Sequence, residues 1–419
     1  MSQATSHDHV IVVGAGVVGI ACAHYLAASG ARVTLIDQGA PGDACSRSNC
    51  GYISPSHVLP LTQPGVVAMV IQSLFDSNAP FRVKPTLRPA MLHWMWNFAR
   101  RCNQRKMLAA AGPLKVILDA SRAEYKALIH AESLACEWKE NGLLYVFQSE
   151  RGLQAFAQHD RLLTEHFGVS AERIDGQTLP DFEPALKPGL AGGFFYPGDA
   201  SVRPDLLNAQ WVDRLRQKGV TFIEQRRLTR IRKQGGRITG LVTSGGDMQA
   251  DRYVFATGAW SGRLARELEC RIPVEPGKGY SVTMGRPAIC PQRPLLFPEH
   301  KVGVSPFDGG YRLGSMMEFA GFDASIPARR IQQLRDSAVP YLVEPHTDTV
   351  QESWCGWRPM TWDSLPIIGR LPRLGNAYLA TGHNMLGLSL AAATGRLIAE
   401  IINDQPPHID PAPYSPARF

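Results

Sequence analysis

Apolar runs and a helical pattern alternate along the N-terminal part of the chain. His9–Val13 is an apolar, β-branched run that predicts a buried strand, and Val17 to about Ser29 has the periodicity of a helix. A second apolar run, Ala31–Ile36, ends at Asp37. Strand, helix and strand in this order form a βαβ unit, so the start of the chain predicts a nucleotide-binding fold.

Three glycines with the spacing Gly-x-Gly-x-x-Gly join the first strand to the helix. Gly14 permits a tight turn, Gly16 lets a pyrophosphate approach the backbone, and Gly19 lets the helix pack on the strand. The helix N-terminus offers free N–H groups to phosphates, and the carboxylate of Asp37 suits a ribose diol. A purely structural glycine turn is the alternative, but the five parts fall in register. The predicted cofactor residues here are Gly14, Ala15, Gly16, Val17, Val18, Gly19, Asp37 and Gln38.

Two later segments are predicted to reach the same ligand, because ligands of such folds lie outside the carboxyl ends of the strands. The loop over residues 39–57 is rich in Gly, Ser, Pro and Asn, and the apolar run Tyr253–Ala256 leads into a Thr-Gly turn. Their predicted cofactor contacts are Ser46, Ser48, Asn49, Gly51, Ile53, Thr257, Gly258 and Trp260.

A second strand, glycine turn and helix follow near the C-terminus. The strand Ala377–Ala380 leads into Thr381–Leu388, and a helix extends to about Ile402. A second helix N-terminus aimed at the cofactor suits a flavin, whose reduction places negative charge at its N1–C2=O edge. A nicotinamide has no such requirement. The predicted contacts here are Gly382, His383, Leu386, Gly387 and Leu388.

The intervening segments predict an inserted second domain, because a helical pattern from Phe81 to about Glu140 is followed by mixed strands and helices. The predicted fold class is α/β. A discontinuous Rossmann-like domain covers residues 1–80, 198–268 and 350–405. An α+β substrate domain with a mixed or antiparallel sheet covers 81–197 and 269–349, and a tail covers 406–419. The apolar and then basic stretch Met91–Arg101 predicts a core-facing helix, with an interfacial membrane helix as the alternative.

Composition narrows the function classes. The chain has 419 residues, 44% hydrophobic and 19% charged, as is typical of a globular protein. Its net charge of +7, with no dominant Lys/Arg block, favours anionic substrates or a membrane surface and does not indicate nucleic acid. The eight cysteines lack a CxxC spacing, so neither a metal site nor a disulfide framework is expected. The polar segment Met1–Asp8 has no signal-peptide pattern, and a cytoplasmic location is expected, with a peripheral membrane contact left open.

Five motifs, in their order and spacing over nearly the whole chain, resemble the flavin-dependent D-amino acid dehydrogenases. These belong to the D-amino acid oxidase-type superfamily, which also includes glycine and sarcosine oxidases. The motifs are Gly14–Gly19, Ser48–Pro55, Lys278–Ser281, Gly356–Thr361 and Thr381–His383. The resemblance implies non-covalent FAD between the two domains. It also implies that hydride passes from Cα of a D-amino acid to flavin N5, giving an imine, and that electrons pass to a quinone-linked acceptor or to oxygen.

The resemblance also assigns substrate roles. Arg358 is expected to hold the substrate carboxylate, with a structural ion pair as the alternative. Tyr280 is a candidate second donor, and His383 a candidate contact of the flavin edge or acceptor of the amine proton. His300 and Tyr52 stand where D-alanine-type relatives carry Tyr and Gln, so both are expected to face the substrate. The alternatives are a core aromatic with a satisfied hydroxyl for Tyr280, a surface loop residue for His300 and a backbone-bonding turn residue for His383.

The two departures favour a bulkier or cyclic D-amino acid, such as D-proline or cis-4-hydroxy-D-proline, over D-alanine. Two other functions stay open. One is a secondary-amine oxidase of the sarcosine or glycine type that uses oxygen. The other is a non-catalytic flavoprotein subunit of a dehydrogenase complex, in contact with partner subunits.

Overall fold

The computed structural model describes residues 8–73, 79–84 and 88–419. Within these ranges the strands are β1 (His9–Val13), β2 (Arg32–Ile36), β3 (Tyr52–Ile53), β4 (Phe81–Val83), β5 (Leu143–Phe147), β6 (Glu172–Asp175), β7 (Gly192–Tyr196), β8 (Ala200–Ser201), β9 (Thr221–Ile223), β10 (Leu228–Gln234), β11 (Arg237–Thr243), β12 (Gly246–Met248), β13 (Arg252–Phe255), β14 (Val274–Met284), β15 (Leu295–Phe297), β16 (Val302–Phe307), β17 (Gly310–Phe319), β18 (Val350–Thr361), β19 (Ile367–Arg370) and β20 (Ala377–Thr381). The α-helices in the same ranges are α1 (Val17–Ala28), α2 (Val66–Ser73), α3 (Pro89–Ala99), α4 (Gln104–Glu132), α5 (Glu150–Phe167), α6 (Leu179–Phe182), α7 (Pro204–Gln217), α8 (Ala328–Ala338) and α9 (Gly387–Ile402).

The first sheet has the strand order β19-β20-β13-β1-β2-β9. β1 pairs in parallel with β13 and with β2, while the edge strand β19 pairs antiparallel with β20. The apolar run of β1 is buried because it lies in the middle of this sheet with layers on both faces. The predicted βαβ unit is confirmed, and the carboxyl ends of β1, β13 and β20 meet at one edge.

Four helices, α1, α4, α7 and α9, share one core against this sheet. The crossing of α1 and α9 is close: a Cβ added to Gly395 would lie 2.5 Å from the backbone carbonyl carbon and oxygen of Ala21. α4 packs on α9, and the Tyr125 hydroxyl donates to the Leu388 carbonyl at 2.8 Å. The small antiparallel sheet β10-β11-β12 contributes to a separate core against other residues of the first sheet.

A larger sheet has the order β18-β14-β17-β16-β15-β5-β7-β6, with β4 added beside β17. Its neighbours are antiparallel except for the parallel pairs β5–β15 and β4–β17. Mixed pairing of this kind requires long connections between the parallel strands, and the chain supplies them by passing through the first sheet. The predicted α/β class with a mixed second sheet is confirmed.

The packing divides the chain differently from the predicted ranges at two elements, and a third element differs in secondary structure. α4 falls within the predicted substrate range 81–197, yet its apolar side packs in the core of the first sheet. β18 falls within the predicted FAD-domain range 350–405, yet it pairs with β14 along its length. Phe81–Val83 was predicted as the start of a helical stretch, but it forms strand β4 because it pairs with Met317–Phe319. Local periodicity does not tell which sheet covers an apolar face.

Parts of two predictions lie outside the described residues: residues 1–7 of the polar N-terminal segment and residues 85–87 of the helical stretch. The predicted tail over 406–419 packs back on the molecule. Tyr414 is buried and its hydroxyl donates to the Pro113 carbonyl at 2.7 Å, and Arg418 pairs with Asp363 at 2.9 Å. Within the described ranges, no helix is both long and apolar enough to cross a membrane.

The α1–α9 contact gives a test of the fold. Gly395→Ala is expected to lower the free energy of unfolding by about 1–3 kcal/mol, because the added methyl overlaps the backbone of Ala21. Gly112→Ala in α4 is the matched control, since a Cβ there meets nothing within 4 Å. Alanine's better helix propensity should raise the free energy of unfolding there by about 0.5–1 kcal/mol. Urea unfolding followed by circular dichroism measures both; equal effects of the two substitutions would contradict the packing.

Candidate functional site

A cavity of about 690 Å³ lies between the edge of the first sheet and the face of the second. Most predicted site residues line it: Gly14, Gly16, Val17, Val18, Asp37, Gln38, Ser46, Ser48, Asn49, Gly51, Tyr52, Thr257, Gly258, Trp260, Tyr280, Arg358, His383, Leu386, Gly387 and Leu388. The predicted residues outside its lining are Ala15, Gly19, Ile53, Gly382 and His300. The segments that sequence patterns placed near one ligand therefore surround one space.

The glycine turn after β1 is set by close backbone contacts. Gly14 has a φ of +106°, and a Cβ on it would overlap the Ala256 carbonyl at the end of β13. A Cβ on Gly19 would overlap the Gly14 carbonyl, so Gly19 serves helix packing and does not face the cavity. α1 begins after Gly16 with neither a side-chain cap nor an acidic residue in its first turn. Its first N–H groups are therefore suited to an anionic ligand.

Asp37 lines the cavity and also fixes the glycine turn. Its Oδ2 accepts a hydrogen bond from the Ala15 N–H at 2.6 Å, and its Oδ1 accepts one from the Gly39 N–H at 2.7 Å. Each carboxylate oxygen keeps a second lone pair for a hydroxyl donor. Ala15 thus contributes through its N–H to Asp37, although its side chain lies outside the cavity lining.

The loop after β2 is pinned to the second sheet through its backbone. Ser281 donates to the Ser48 carbonyl at 2.7 Å, Ser305 to the Cys50 carbonyl at 2.6 Å, and Arg312 to the Asn49 carbonyl at 2.9 Å. The side chains of Ser48 and Asn49, which were predicted to contact the cofactor, have partners within the protein. The Ser48 hydroxyl donates to Glu352 at 2.7 Å, and Asn49 Oδ1 accepts from the Gly51 N–H at 2.7 Å.

The second helix N-terminus, that of α9, lies on the cavity at Gly387 and Leu388. Like α1, it has neither a side-chain cap nor an acidic residue in its first turn. The preceding turn is held by Asn384, whose backbone has a φ of +54° and whose Oδ1 accepts from the Thr361 N–H at 2.8 Å. The start of α9 is therefore tied to the end of β18, the strand that carries Arg358.

His383 is neutral and its tautomer is set by a chain of hydrogen bonds. The Thr394 hydroxyl donates to the Leu390 carbonyl at 2.8 Å, so at 3.0 Å from His383 Nε2 it accepts the imidazole proton. The proton is thereby assigned to Nε2. Burial lowers the pKa of His383 from 6.5 to about 3.

Arg358 lies against the backbone of β14. A Cβ added to Gly279 would overlap the Arg358 guanidinium, so glycine is needed there for the arginine to lie flat on the sheet. Nη1 of Arg358 donates to the Met316 carbonyl at 2.6 Å, where β17 shifts register and Met316 has a φ of +60°. This irregular backbone presents the carbonyl to the guanidinium.

The charge of Arg358 has no ion-pair partner in the described part of the chain. The groups nearest in electrostatic terms are the thiols of Cys45 and Cys50, and burial lowers the pKa of the guanidinium below its usual value. An arginine remains charged under these conditions. Arg358 is half-buried, and an unpaired cation at the wall of a cavity favours an anionic ligand group.

Three predicted substrate residues bond elsewhere. The Tyr280 hydroxyl donates to Glu318 at 2.7 Å. Both residues line a second, smaller cavity together with Arg82 and Arg330. The Tyr52 hydroxyl lies 2.8 Å from the Leu295 carbonyl and 3.1 Å from that of Val304, so its one proton is used on the second sheet. His300 lies outside the lining, with Nδ1 2.9 Å from the Tyr341 hydroxyl. Of these three residues, only Tyr52 and Tyr280 border the cavity, and the hydroxyl of each is hydrogen-bonded within the protein.

Several lining residues were not predicted. Arg226, Arg227 and Arg263 add positive charge to the walls, and nothing in their sequence context signals this role. Trp354 and Trp357 belong to the Pro/Gly-rich segment around Arg358. Alternation along a strand places Trp354 on the same face as Arg358 and Trp357 on the opposite face. His57 lies at the end of the predicted loop, within 3.2 Å of the Tyr145 hydroxyl, and burial lowers its pKa to about 4.

The residues of the cavity fit FAD. The N-terminus of α1 suits a diphosphate, the free lone pairs of Asp37 suit a ribose diol, and the N-terminus of α9 suits the anionic edge of a reduced flavin. The volume of about 690 Å³ is in the range of cofactor sites. The guanidinium of Arg358, at the cavity wall, is left to bind a second, smaller anionic group.

Comparisons with known proteins agree with this geometry. The sequence profile of the FAD dependent oxidoreductase (DAO) family matches residues 9–401. The fold is similar to that of glycine oxidase from Geobacillus kaustophilus, with a TM-score of 0.80, 23% identity, and coverage of 99% of this chain and 100% of that one. It is also similar to L-proline dehydrogenase from P. horikoshii, with a TM-score of 0.75, 18% identity, and coverage of 99% and 98%. Iminodiacetate oxidase from Chelativorans sp. BNC1 gives a TM-score of 0.73, 21% identity, and coverage of 97% and 98%.

The buried His383 predicts acid sensitivity. Its folded-state pKa of about 3 lies below the ordinary 6.5, so the unfolded chain binds more protons between these values. Stability is therefore lost as the pH falls below about 6.5, and His383 should account for about 2 kcal/mol of the difference in unfolding free energy between pH 7 and pH 5. His383→Gln should reduce that difference, whereas the exposed His166→Gln should not. Denaturant unfolding at the two pH values measures this, and an unchanged difference in His383→Gln contradicts the neutral assignment.

Proposed function

We propose, on the premise that the chain belongs to the family of FAD-dependent oxidoreductases, that it is an enzyme that oxidises an α-amino acid of the D series at Cα. FAD is the cofactor. The proposed product is an imine, and the proposed acceptor of the electrons is a quinone-linked carrier. The reaction belongs to the class that acts on CH–NH or CH–NH2 donors.

The unpaired charge of Arg358 is the observation that carries the proposal. A guanidinium donates two parallel hydrogen bonds to a carboxylate, a geometry that a lysine does not offer. Because Nη1 already donates to the Met316 carbonyl, the fork is held in one orientation against Gly279. A substrate carboxylate at this position would have its Cα fixed relative to the cofactor cradle.

The chain's own residues bind and orient, and they supply no strong base. His383 holds its proton on Nε2, and a pKa of about 3 makes it a poor acceptor for the amine proton. We therefore assign His383 to contact with the cofactor, and infer that the amino acid reacts with its amine neutral. Bound FAD would supply the two-electron acceptor for the bond at Cα.

The pocket walls support a cyclic or bulky substrate. Tyr52, Trp354 and Leu296 border the cavity with apolar surface, and the hydroxyl of Tyr52 is turned into the sheet. We propose D-proline or cis-4-hydroxy-D-proline. One protein of similar fold is named for a cyclic amino acid, L-proline. A glycine or sarcosine type of oxidase that uses oxygen is the second candidate, favoured by the fold similarity to glycine oxidases.

Substitution of Arg358 tests its role. Arg358→Ala should raise KM for the amino acid by about 100-fold or more, because the charge-assisted fork at the cavity wall is lost, while FAD stays bound. Arg358→Lys should fall between Ala and the wild type, since it keeps the charge without the fork. Steady-state kinetics with a dye acceptor, with FAD content from the visible spectrum, measure both. Wild-type kinetics in Arg358→Ala with FAD bound would remove the assignment.

A substrate panel tests the reaction itself. Under anaerobic conditions, D-proline or cis-4-hydroxy-D-proline should bleach the visible absorbance of the bound flavin faster than D-alanine does. Activity on D-alanine about tenfold above that on D-proline would contradict the proposal of a cyclic substrate. A tenfold ratio corresponds to a difference of about 1.4 kcal/mol in activation free energy. Rapid peroxide release with N-methylglycine would identify the oxidase instead. A flavin that no amine bleaches would indicate a non-catalytic subunit.

A further inference from the structure

Residues 77–118 contain no aspartate or glutamate, although the chain as a whole has 37 acidic residues. The same stretch carries eight basic residues: Arg82, Lys84, Arg88, Arg100, Arg101, Arg105, Lys106 and Lys115. These are dispersed along the sequence, so no basic block marks them. Their eight charges nonetheless exceed the net charge of +7 of the entire chain. Three of the eight, Arg82, Arg88 and Lys115, pair with Glu318, Glu275 and Asp119, so the uncompensated positive charge lies mainly at the turn from α3 to α4.

α3 is apolar on two sides. Its inner side, Met91, Trp94 and Phe98, is buried in a core with Met317 and Met360. Its outer side is not covered: Leu92 is 52% exposed and Trp96 is 63% exposed. Basic residues flank this outer stripe at both ends, since Arg88, Leu92, Trp96 and Arg100 follow one another at intervals of one helical turn. The stripe combines exposed apolar surface with positive ends.

The turn from α3 to α4 carries four basic residues, Arg100, Arg101, Arg105 and Lys106. Arg105 and Lys106 lie in the first turn of α4, where the helix dipole disfavours cations. In the described ranges, no ion pair is formed by Arg100, Arg101, Arg105 or Lys106, whereas Arg82 and Arg88 each pair with a glutamate. The guanidinium of Arg100 lies 5.9 Å from the Trp96 ring centroid. Arg101 Nη1 donates to the Asn97 carbonyl at 2.9 Å and Lys106 Nζ to the Arg100 carbonyl at 3.1 Å, so part of the cluster caps the end of α3. In the described part of the chain, no carboxylate lies within ion-pair distance of these four side chains.

We propose that the outer stripe of α3 and the basic turn to α4 form a docking surface for an anionic lipid bilayer. Tryptophan and leucine side chains enter the boundary between headgroups and acyl chains, while Arg and Lys bind the anionic headgroups. The basic turn, whose four charges have no ion-pair partner in the described ranges, is complementary to such a surface. The inner side of the same helix packs on Met317, whose sulfur is 3.9 Å from Arg358 Nη1. The α3 helix and Met317 therefore separate the docking surface from Arg358 at the cavity wall. This inference is independent of the proposed substrate.

Vesicle binding of the holoenzyme tests the proposal. The wild type should sediment with vesicles of phosphatidylcholine and phosphatidylglycerol, less with phosphatidylcholine alone, and progressively less as salt is added. Arg105→Glu with Lys106→Glu should weaken binding by about tenfold or more, since each basic residue near the surface contributes about fivefold. Acidic residues suit the first turn of a helix, so this variant should keep its fold. Leu92→Ser with Trp96→Ser should also weaken binding, because it removes the apolar side chains that would enter the bilayer.

Matched controls come from the same chain. Arg151→Glu with Arg161→Glu makes the same charge change on α5, with Arg151 in a first helical turn, and Ile289→Ser removes an apolar side chain that is 41% exposed elsewhere. These variants should bind like the wild type, and all variants should keep their FAD and their activity with a soluble dye. A wild type that stays in the supernatant with anionic vesicles, or control variants that lose as much binding, would overturn the proposal. A face that instead mediates self-association in sedimentation velocity, without vesicle binding, would also overturn it.

Discussion

The contact between the loop after β2 and the second sheet fixes the position of the cofactor cradle relative to Arg358. Gly303 and Gly314 face this loop, and a Cβ on either would lie within about 3.0 Å of the Cys50 sulfur. Ser281 and Arg312 then bind the loop through its carbonyl groups. Since the loop continues from the strand that ends at Asp37, this contact fixes the cofactor cradle relative to β14, β17 and β18. The position of Arg358 follows from the same sheet.

Charge in the cavity is arranged by backbone and burial together. Two helices begin at its wall without caps or acidic residues, so both present positive partial charge to one space. His383 adds none, because burial keeps its imidazole neutral. Arg358 adds a full charge at a separate position, and the strained backbone at Met316 limits its orientation. Such a site suits one large anionic cofactor and one small anionic group beside it.

The sequence was sufficient where function depends on local backbone. The spacing of Gly14, Gly16 and Gly19 predicted the turn between β1 and α1 because the positive φ of Gly14 and the contact of Gly19 with the Gly14 carbonyl are local, and the start of α9 was likewise predicted from a local pattern. Side-chain direction on the second sheet was not predictable. Tyr280 turns its hydroxyl away from Arg358 because neighbouring positions of β14 face opposite sides, and α4 joins the first core through contacts far apart in sequence.

Arg358 and the cofactor cradle face one cavity, so a small carboxylate held by Arg358 should lie against the bound flavin. Titration of the holoenzyme with benzoate, a carboxylate without an oxidisable Cα–H bond, tests it most directly through the visible spectrum of the flavin. In the wild type, benzoate should perturb the flavin bands saturably. In Arg358→Met, with FAD still bound, this perturbation should be absent. Calorimetric binding of benzoate that leaves the flavin spectrum unchanged, or the same perturbation in both proteins, would contradict it.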